Sequence, residues 1–291
     1  YQADPKAYDK AAWEYVVVSG AADSTTDADG NTVQATDEEQ AAAKEAAKAT
    51  AEEILAAYNS GKSLESIAGN YEKATYYNTT DATYYDGVVG NWLFDDARKD
   101  GDTEILEVGT NYYVGLFHSR GREEYKTVDI RHILITPETG TKAQGDEGYE
   151  DEQTQLKAAA RTKAEEILAQ WKSGEAPEDS FAQLAMENSA DGSKYDGGLY
   201  TRVTKGWAVE EFNDWCFDES RQPGDTGIVY NEGIVDTTYG SHVMYFVGYD
   251  LPAWAASVTS DLQEKASSEW STALSENADV QQSDFGMKFV G

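Results

Sequence analysis

The sequence has little of what commonly crosslinks a protein or anchors it in a membrane. Cys216 is the one cysteine among 291 residues, so no internal disulfide supports the fold. No apolar run approaches the roughly 20 residues that cross a bilayer. We therefore expect no transmembrane segment in this chain, and an anchor outside it stays open. Because the chain begins at Tyr1 and shows no signal peptide, we expect a mature form that has lost a targeting segment.

Basic residues are also scarce. The chain has 23 Lys and Arg against 54 Asp and Glu, a net charge of −31. Such a surface repels polyanions, which argues against a nucleic-acid partner, and it attracts basic segments weakly. A salt-adapted soluble surface explains the same acidity. With 40% hydrophobic and 12% aromatic residues, the composition is that of a globular protein long enough for two domains.

Several segments occur twice in the same order. The clearest pair is "AEEILAAYNSG" at 51–61 and "AEEILAQWKSG" at 164–174. Three more pairs match along the chain: 13–20 with 129–136, 92–105 with 215–228, and 112–117 with 241–246. Self-similarity over a whole domain length predicts a tandem pair of related domains.

Each copy has the pattern of a small α+β domain with one sheet. In the first copy, Thr36 and Glu39 form a capping box that predicts a helix at about 37–59. The second copy opens with a strand at 128–136, continues with three helices and closes with two or three strands.

The tail at 251–291 belongs to neither copy. Apolar residues recur there at every fourth position, which predicts a helix with an apolar stripe, and "DFGMKFVG" at its end suggests a strand. The stripe either packs on the protein's own core or docks a missing N-terminal segment. Its members are Trp254, Val258, Leu262, Ala266, Trp270 and Leu274.

Residues 128–250 resemble the parvulin family of peptidyl-prolyl isomerases. The resemblance rests on "RHILI", "AEEILAQWKSG", "EDSFAQLA", "NSADGSKYDGGLY" and "TTYGSHVMYF", in that order. It implies an α+β protein with two tandem parvulin-like domains, each a small antiparallel sheet flanked by helices, followed by a C-terminal helical tail. We expect a degenerate parvulin-like domain at 1–122, an isomerase domain at 123–250, and a helix and strand at 251–291.

A parvulin domain beside a second domain and a C-terminal helix is similar to the extracytoplasmic foldases of bacteria, of the PrsA and SurA type. The resemblance implies a secreted or surface-anchored foldase that isomerises Xaa–Pro bonds of unfolded exported proteins. A non-catalytic chaperone or peptide-binding surface protein on the same scaffold is the alternative.

The family's site transfers to this sequence residue by residue. The resemblance implies a catalytic group and a substrate-binding group. The catalytic group is His132, Asp191 and His242; the substrate-binding group is Leu199, Trp207, Phe212, Thr237 and Tyr239. Two features depart from the family: "GGLYT" stands where "GGDLG" is usual, and Ala208 stands where the pocket usually has methionine.

The chemistry implied by this resemblance needs no cofactor. Resonance opposes rotation about a peptide bond with a barrier of roughly 18–20 kcal/mol, and the rotation breaks no covalent bond. The enzyme has only to favour the twisted amide over the planar one. A zinc site formed by His132, His242 and Asp191 has suitable donor atoms but no local ligand motif, so we expect no metal.

Each candidate has an ordinary structural explanation beside the functional one. Two histidines on buried strands also suit a core network that links the strands. Cys216 lies on an apolar helix face, and its counterpart in the first copy is Leu93, so we interpret it as a small buried side chain and not a nucleophile. In the first copy, Tyr15 and Tyr113 stand at the histidine positions, which predicts a scaffold without the catalytic site.

Overall fold

Residues 1–231 and 240–277 are described by the structure, which is a computed structural model. The chain divides into unit 1, Tyr1–Glu123, and unit 2, which begins at Glu124. Both units combine helices with one four-stranded antiparallel sheet, as the α+β prediction required. None of the helices in the described ranges is long and apolar enough to span a membrane.

Unit 1 has a sheet with strand order β4-β1-β6-β5. A two-stranded hairpin, β2 and β3, precedes the first helix. The elements are β1 (Lys10–Val18), β2 (Thr25–Thr26), β3 (Thr32–Val33), α1 (Asp37–Asn59), α2 (Leu64–Ala68), β4 (Ala74–Ala82), α3 (Val88–Leu93), β5 (Thr103–Val108) and β6 (Asn111–Gly121), after a 3-10 turn at Pro5–Ala7.

Unit 2 has strand order β8-β7-β10-β9, so the first and last strands again lie together at the centre. The elements are β7 (Lys126–Ile135), α4 (Tyr149–Lys172), α5 (Glu178–Asn188), a 3-10 turn (Gly192–Asp196), β8 (Leu199–Val203), α6 (Glu210–Cys216), β9 (Thr226–Asn231), β10 (Gly240–Pro252) and α7 (Ala253–Asn277).

The repeated "AEEIL" marks the buried side of the two long helices. Its alanine and isoleucine are three residues apart and so lie on one helical face. In α1 these are Ala51 and Ile54, and in α4 they are Ala164 and Ile167; all four are buried. Each set packs in the core between its helix and one face of its sheet. The Thr36 capping box at the start of α1 is present as predicted.

The C-terminal helix differs from the expectation. Only its first turn is buried, at Ala253 and Ala256, whereas Leu262, Trp270 and Leu274 are 56–67% exposed. The reason is geometric: four residues turn a helix about 40° beyond one full turn, so a strict spacing of four winds around the helix. The strand suggested at its end lies outside the described residues.

The predicted site lies on one face of the sheet of unit 2. In unit 2, α4 and α5 pack on one face, where Ile133 and Val243 lie. The other face carries Ile130, Met244 and Phe246 and is covered by α6. Because side chains alternate along a strand, His132 and His242 belong to this second face.

Candidate active site

The two histidines stand on neighbouring strands. In the β7–β10 ladder His132 faces Met244, and His242 faces Leu134, so the histidines are diagonal neighbours on one face of the sheet. Their rings are nearly parallel, at 13°, with centroids 5.4 Å apart, and the two Nδ1 atoms are 3.2 Å apart. Both side chains are buried. The predicted pairing of these residues is therefore present in the geometry.

The contact between the two Nδ1 atoms constrains the protons. If both rings are neutral, one Nδ1 must donate and the other accept. Asp191 Oδ1 lies 3.3 Å from Nε2 of His132, which favours a proton on that nitrogen. His132 Nδ1 then accepts and His242 Nδ1 donates, so Nε2 of His242 is an acceptor.

The contact between His132 and Asp191 is short enough for an ion pair but is not aligned as a hydrogen bond. The 3.3 Å separation is within ion-pair range, yet Nε2 of His132 has no well-aligned hydrogen-bond acceptor in the described part of the chain. We treat the contact as electrostatic attraction, which depends on distance more than on direction. It orients the imidazole less rigidly than an aligned hydrogen bond does.

Asp191 is held from several sides. It caps the 3-10 turn, where its Oδ1 accepts from the backbone N–H of Ser193 at 2.8 Å and from the Ser193 hydroxyl at 2.5 Å. The Tyr200 hydroxyl donates to the same oxygen at 2.9 Å. His132 and then Ser193 hold the pKa of the Asp191 carboxyl well below its usual range, against the opposing effect of burial. The carboxylate is therefore ionised at neutral pH.

Aromatic rings close the other side of the histidine pair. Phe212, on α6, meets both imidazoles edge-on at 5.5 Å. Trp207 lies 6.2 Å from Phe212 and 4.7 Å from Tyr200, measured between ring centroids, and is 49% exposed. Phe212 itself is only 2% exposed. Of the two rings predicted to bind substrate, Phe212 and Trp207, the exposed aromatic surface is therefore that of Trp207.

The register of β8 also decides which of its side chains faces the histidines. In the β7–β8 ladder Leu199 faces Arg131, whereas Tyr200 faces Ile130 on the histidine side. Alternation therefore places Leu199 on the opposite face and Tyr200 at the site, which corrects the expectation for Leu199. The sequence alone does not identify Tyr200 as a site residue, because the pairing of β8 with β7 decides which face of the sheet it occupies.

The remaining candidates are Thr237, Tyr239, the zinc site and Cys216. Thr237 and Tyr239 lie outside the described residues. Within the described ranges, no group of three His, Cys, Asp or Glu side chains has the arrangement of a metal site. Cys216, the last residue of α6, is fully buried in the core between this helix and the sheet. Burial raises the pKa of its thiol to about 12. It is a core residue.

The sequence matches a family model for the PPIC-type PPIase domain over residues 114–247, a range that includes all eight predicted site residues. The chain contains a parvulin domain. No curated protein matches the chain at a significant level. The recognised domain covers the histidine pair and all of its neighbours described above.

Solved structures of parvulin proteins are similar to parts of this chain. The PPIase domain of TBPAR42 has 24% identity and a TM-score of 0.29, over 41% of this chain and 98% of that one. PrsA from Bacillus subtilis has 21% identity and a TM-score of 0.33, over 54% and 52%. A SurA-like chaperone structure from Campylobacter jejuni has 21% identity and a TM-score of 0.27, over 54% and 56%. The match thus spans about half of these two longer chains.

Proposed function

We propose that unit 2 catalyses cis–trans isomerisation of Xaa–Pro bonds in extended polypeptides. The observation that carries the proposal is the stacked pair of His132 and His242, held beside the ionised Asp191 and closed by Phe212, within a parvulin domain. Buried imidazoles joined through Nδ1 also link strands, but a merely structural pair does not need an ionised carboxylate beside it.

The site can lower the barrier without covalent chemistry. A planar amide has a large dipole from resonance, and twisting the C–N bond reduces that dipole, so an aromatic surface with little water favours the twisted form. Trp207 and Tyr200 form the accessible part of that surface, against which a prolyl ring can pack. The fixed dipoles of the two imidazoles and the Asp191 charge act on the amide without reorganising during rotation.

We further propose that unit 1 is a second copy of the fold that has lost the site. Tyr113 faces Val17 in the β1–β6 ladder, two residues beyond Tyr15, and His242 likewise faces Leu134, two residues beyond His132. The two tyrosine rings are stacked, 5.8 Å apart at 18°. Position and stacking of the histidine pair are thus reproduced with tyrosines.

The segments before the last strands support the same duplication. In unit 1 the N–H of Gly101 donates to Phe117 O and that of Phe117 donates to Asp102 O; Gly224, Phe246 and Asp225 repeat both bonds in unit 2. The guanidinium of Arg98 lies over Trp92, and that of Arg221 lies over Trp215. Two loops with the same bonds and the same cation–π contact favour descent from one unit.

The missing part of unit 1 is the segment that carries Asp191. In unit 2, residues 189–198 connect α5 to β8 and include the capped 3-10 turn. In unit 1, only residues 69–73 connect α2 to β4. This shorter connection lacks the capped turn that holds Asp191 in unit 2, and we propose that unit 1 does not catalyse isomerisation.

For the whole chain we propose a foldase that acts on unfolded exported proteins outside the cytoplasm. The acidic surface supports this, because a net charge of −31 disfavours nucleic acid and leaves polypeptides as partners.

Exchange NMR on a short peptide with a single Xaa–Pro bond tests the activity. The uncatalysed exchange takes tens to hundreds of seconds, so a catalytic amount of the chain should bring cis and trans signals into measurable exchange. A folded chain that leaves the exchange rate unchanged would contradict the proposal. The covered Phe212 favours the second candidate, a non-catalytic chaperone, which should instead suppress aggregation of a proline-free unfolded protein.

A further inference from the structure

Unit 1 has an aromatic cluster where unit 2 has its histidines. We use this name for Trp13, Tyr15, Tyr77, Tyr85 and Tyr113. Tyr15 is at its centre: its ring stacks on Trp13 at 4.0 Å, on Tyr77 at 5.0 Å and on Tyr113 at 5.8 Å, each within 18° of parallel. The Tyr85 side chain lies close enough to influence ionisation of Tyr15. Stacked rings of this kind form a stiff surface.

The outer members of the cluster are open to solvent. Tyr77 is 46% exposed and Tyr85 is 53% exposed. Val88, three residues after Tyr85 at the start of α3, is 51% exposed. A single exposed apolar side chain is ordinary, but several exposed apolar side chains around one stacked ring are typical of binding surfaces.

The tyrosine hydroxyls of unit 1 differ in whether they donate a hydrogen bond within the chain. Neither Tyr15 nor Tyr85 makes a hydrogen bond to the described part of the chain. Five other tyrosines of unit 1 do donate to protein acceptors: Tyr1 to Asp9, Tyr71 to Glu53, Tyr76 to Glu14, Tyr84 to Asn91 and Tyr112 to Glu107.

These two hydroxyls remain donors at every physiological pH. Burial raises the pKa of Tyr15 and of Tyr85, and nearby tyrosines raise both further. No charged side chain in the described ranges contributes to either shift. The rings and hydroxyls of the cluster are themselves uncharged and offer aromatic faces and O–H donors, which suits a ligand that is apolar, uncharged and rich in acceptors.

We propose that the aromatic cluster of unit 1 binds proline-rich segments of extended polypeptides without isomerising them. A prolyl residue has an apolar ring, a carbonyl acceptor and no N–H. Its ring can therefore pack on the stacked rings, and its carbonyl can accept a hydrogen bond from a tyrosine hydroxyl. Proline-rich segments are already extended as polyproline II and lose little entropy when they dock on aromatic surfaces. The net charge of −31 selects segments with neutral or basic flanks.

This inference rests on the proposed function only in treating unit 1 as a second copy of the fold. Under that reading the cluster stands where the catalytic copy meets its own prolyl substrate. Its ligand chemistry is argued from the tyrosines themselves, so loss of catalysis in unit 2 leaves the inference standing.

Calorimetric titration of the full chain tests the proposal, with a peptide of ten prolines flanked by lysines as the probe. Wild type should bind two equivalents of this probe, and Tyr77→Ala with Tyr85→Ala should bind one. Tyr195→Ala, which removes an 80% exposed tyrosine of unit 2, is the matched control and should keep two. If unit 2 does not bind proline, the counts should be one for wild type and none for the double variant, which supports this inference while the proposed function fails.

A second variant separates hydroxyls from rings. Tyr15→Phe with Tyr85→Phe keeps the stacking and should weaken the unit 1 site about tenfold, which also protects the test if the alanine variant melts early. Unchanged binding in both double variants overturns the proposal. So does binding of a soluble β-1,4-linked glucose hexasaccharide in place of the peptide, or binding of neither probe.

Discussion

Units 1 and 2 have sheets of the same strand order and central register, but they differ in what fills one face. Where unit 2 has two imidazoles against Phe212, unit 1 has Tyr15 and Tyr113. Phe212 lies four residues before the end of α6, and Val89 holds the corresponding position in α3. Larger rings on the strands are thus matched by a smaller side chain on the helix.

The comparison shows that the fold and the site depend on different residues. The fold rests on the helix alanines and isoleucines that both units keep, because these set how closely a helix approaches its sheet. The site rests on a ten-residue connection that only unit 2 has, and on ring sizes that can be exchanged without changing the sheet. We therefore expect unit 1 to fold without catalysing isomerisation.

The largest effect is expected at Phe212. Because the ring is 2% exposed, Phe212→Ala should lower the free energy of unfolding by about 3–5 kcal/mol and also remove isomerase activity. Trp207→Ala is the matched comparison: its ring is half exposed, so activity should fall while stability changes little. Urea unfolding and exchange rates on both variants decide the matter. Unchanged stability in Phe212→Ala would show that the ring is not part of the core.

The lowered pKa of Asp191 predicts that unit 2 loses stability in acid. Its pKa is lower folded than unfolded, so its stabilisation is present above about pH 4, the unfolded value, and is lost as the pH falls through the folded value. Asp191→Asn should cost about 1–3 kcal/mol at pH 7 by weakening the bonds from Ser193 and Tyr200. The difference in stability between the variant and wild type should shrink below pH 4. A constant difference from pH 7 to pH 2 would contradict the assignment.

The sequence predicted the scaffold better than the site. The capped α1 and the shared "AEEIL" face follow from local patterns, since caps and helical spacing act over a few residues. The pair of His132 and His242 was expected only from the family resemblance. Tyr200, and not Leu199, lies on the histidine face of the sheet. A shift of one residue in register turns every side chain of a strand to the opposite face, and register is fixed by pairing with residues that are distant in sequence. The exposure of Phe212 was also beyond local pattern, since it depends on how Trp207 and α6 pack.

Tyr200 should have a moderate effect. Tyr200→Phe removes the 2.9 Å hydrogen bond to Asp191 and keeps the ring beside Trp207. We expect about 1–2 kcal/mol less stability and a several-fold lower catalytic rate, with substrate affinity nearly unchanged. Measuring kcat and KM separately distinguishes positioning of Asp191 from loss of the ring surface. A raised KM at constant kcat would assign Tyr200 to substrate binding instead.

Cys216 should have the smallest effect. Burial raises the pKa of its thiol to about 12, so almost no thiolate exists at neutral pH and a thiol reagent should label the native protein slowly. Cys216→Ala should keep isomerase activity and cost about 1 kcal/mol of stability. Rapid labelling of the folded chain together with loss of activity would overturn the reading of Cys216 as core.

The central claim is that unit 2 catalyses and unit 1 does not. The most direct measurement is the isomerisation rate of one Xaa–Pro peptide with the wild-type chain, with His242→Gln and with Tyr113→Phe, each checked for folding by circular dichroism. We predict acceleration by wild type and by Tyr113→Phe, and a rate near the uncatalysed one with His242→Gln. Full activity in folded His242→Gln, or its loss in folded Tyr113→Phe, would contradict the account.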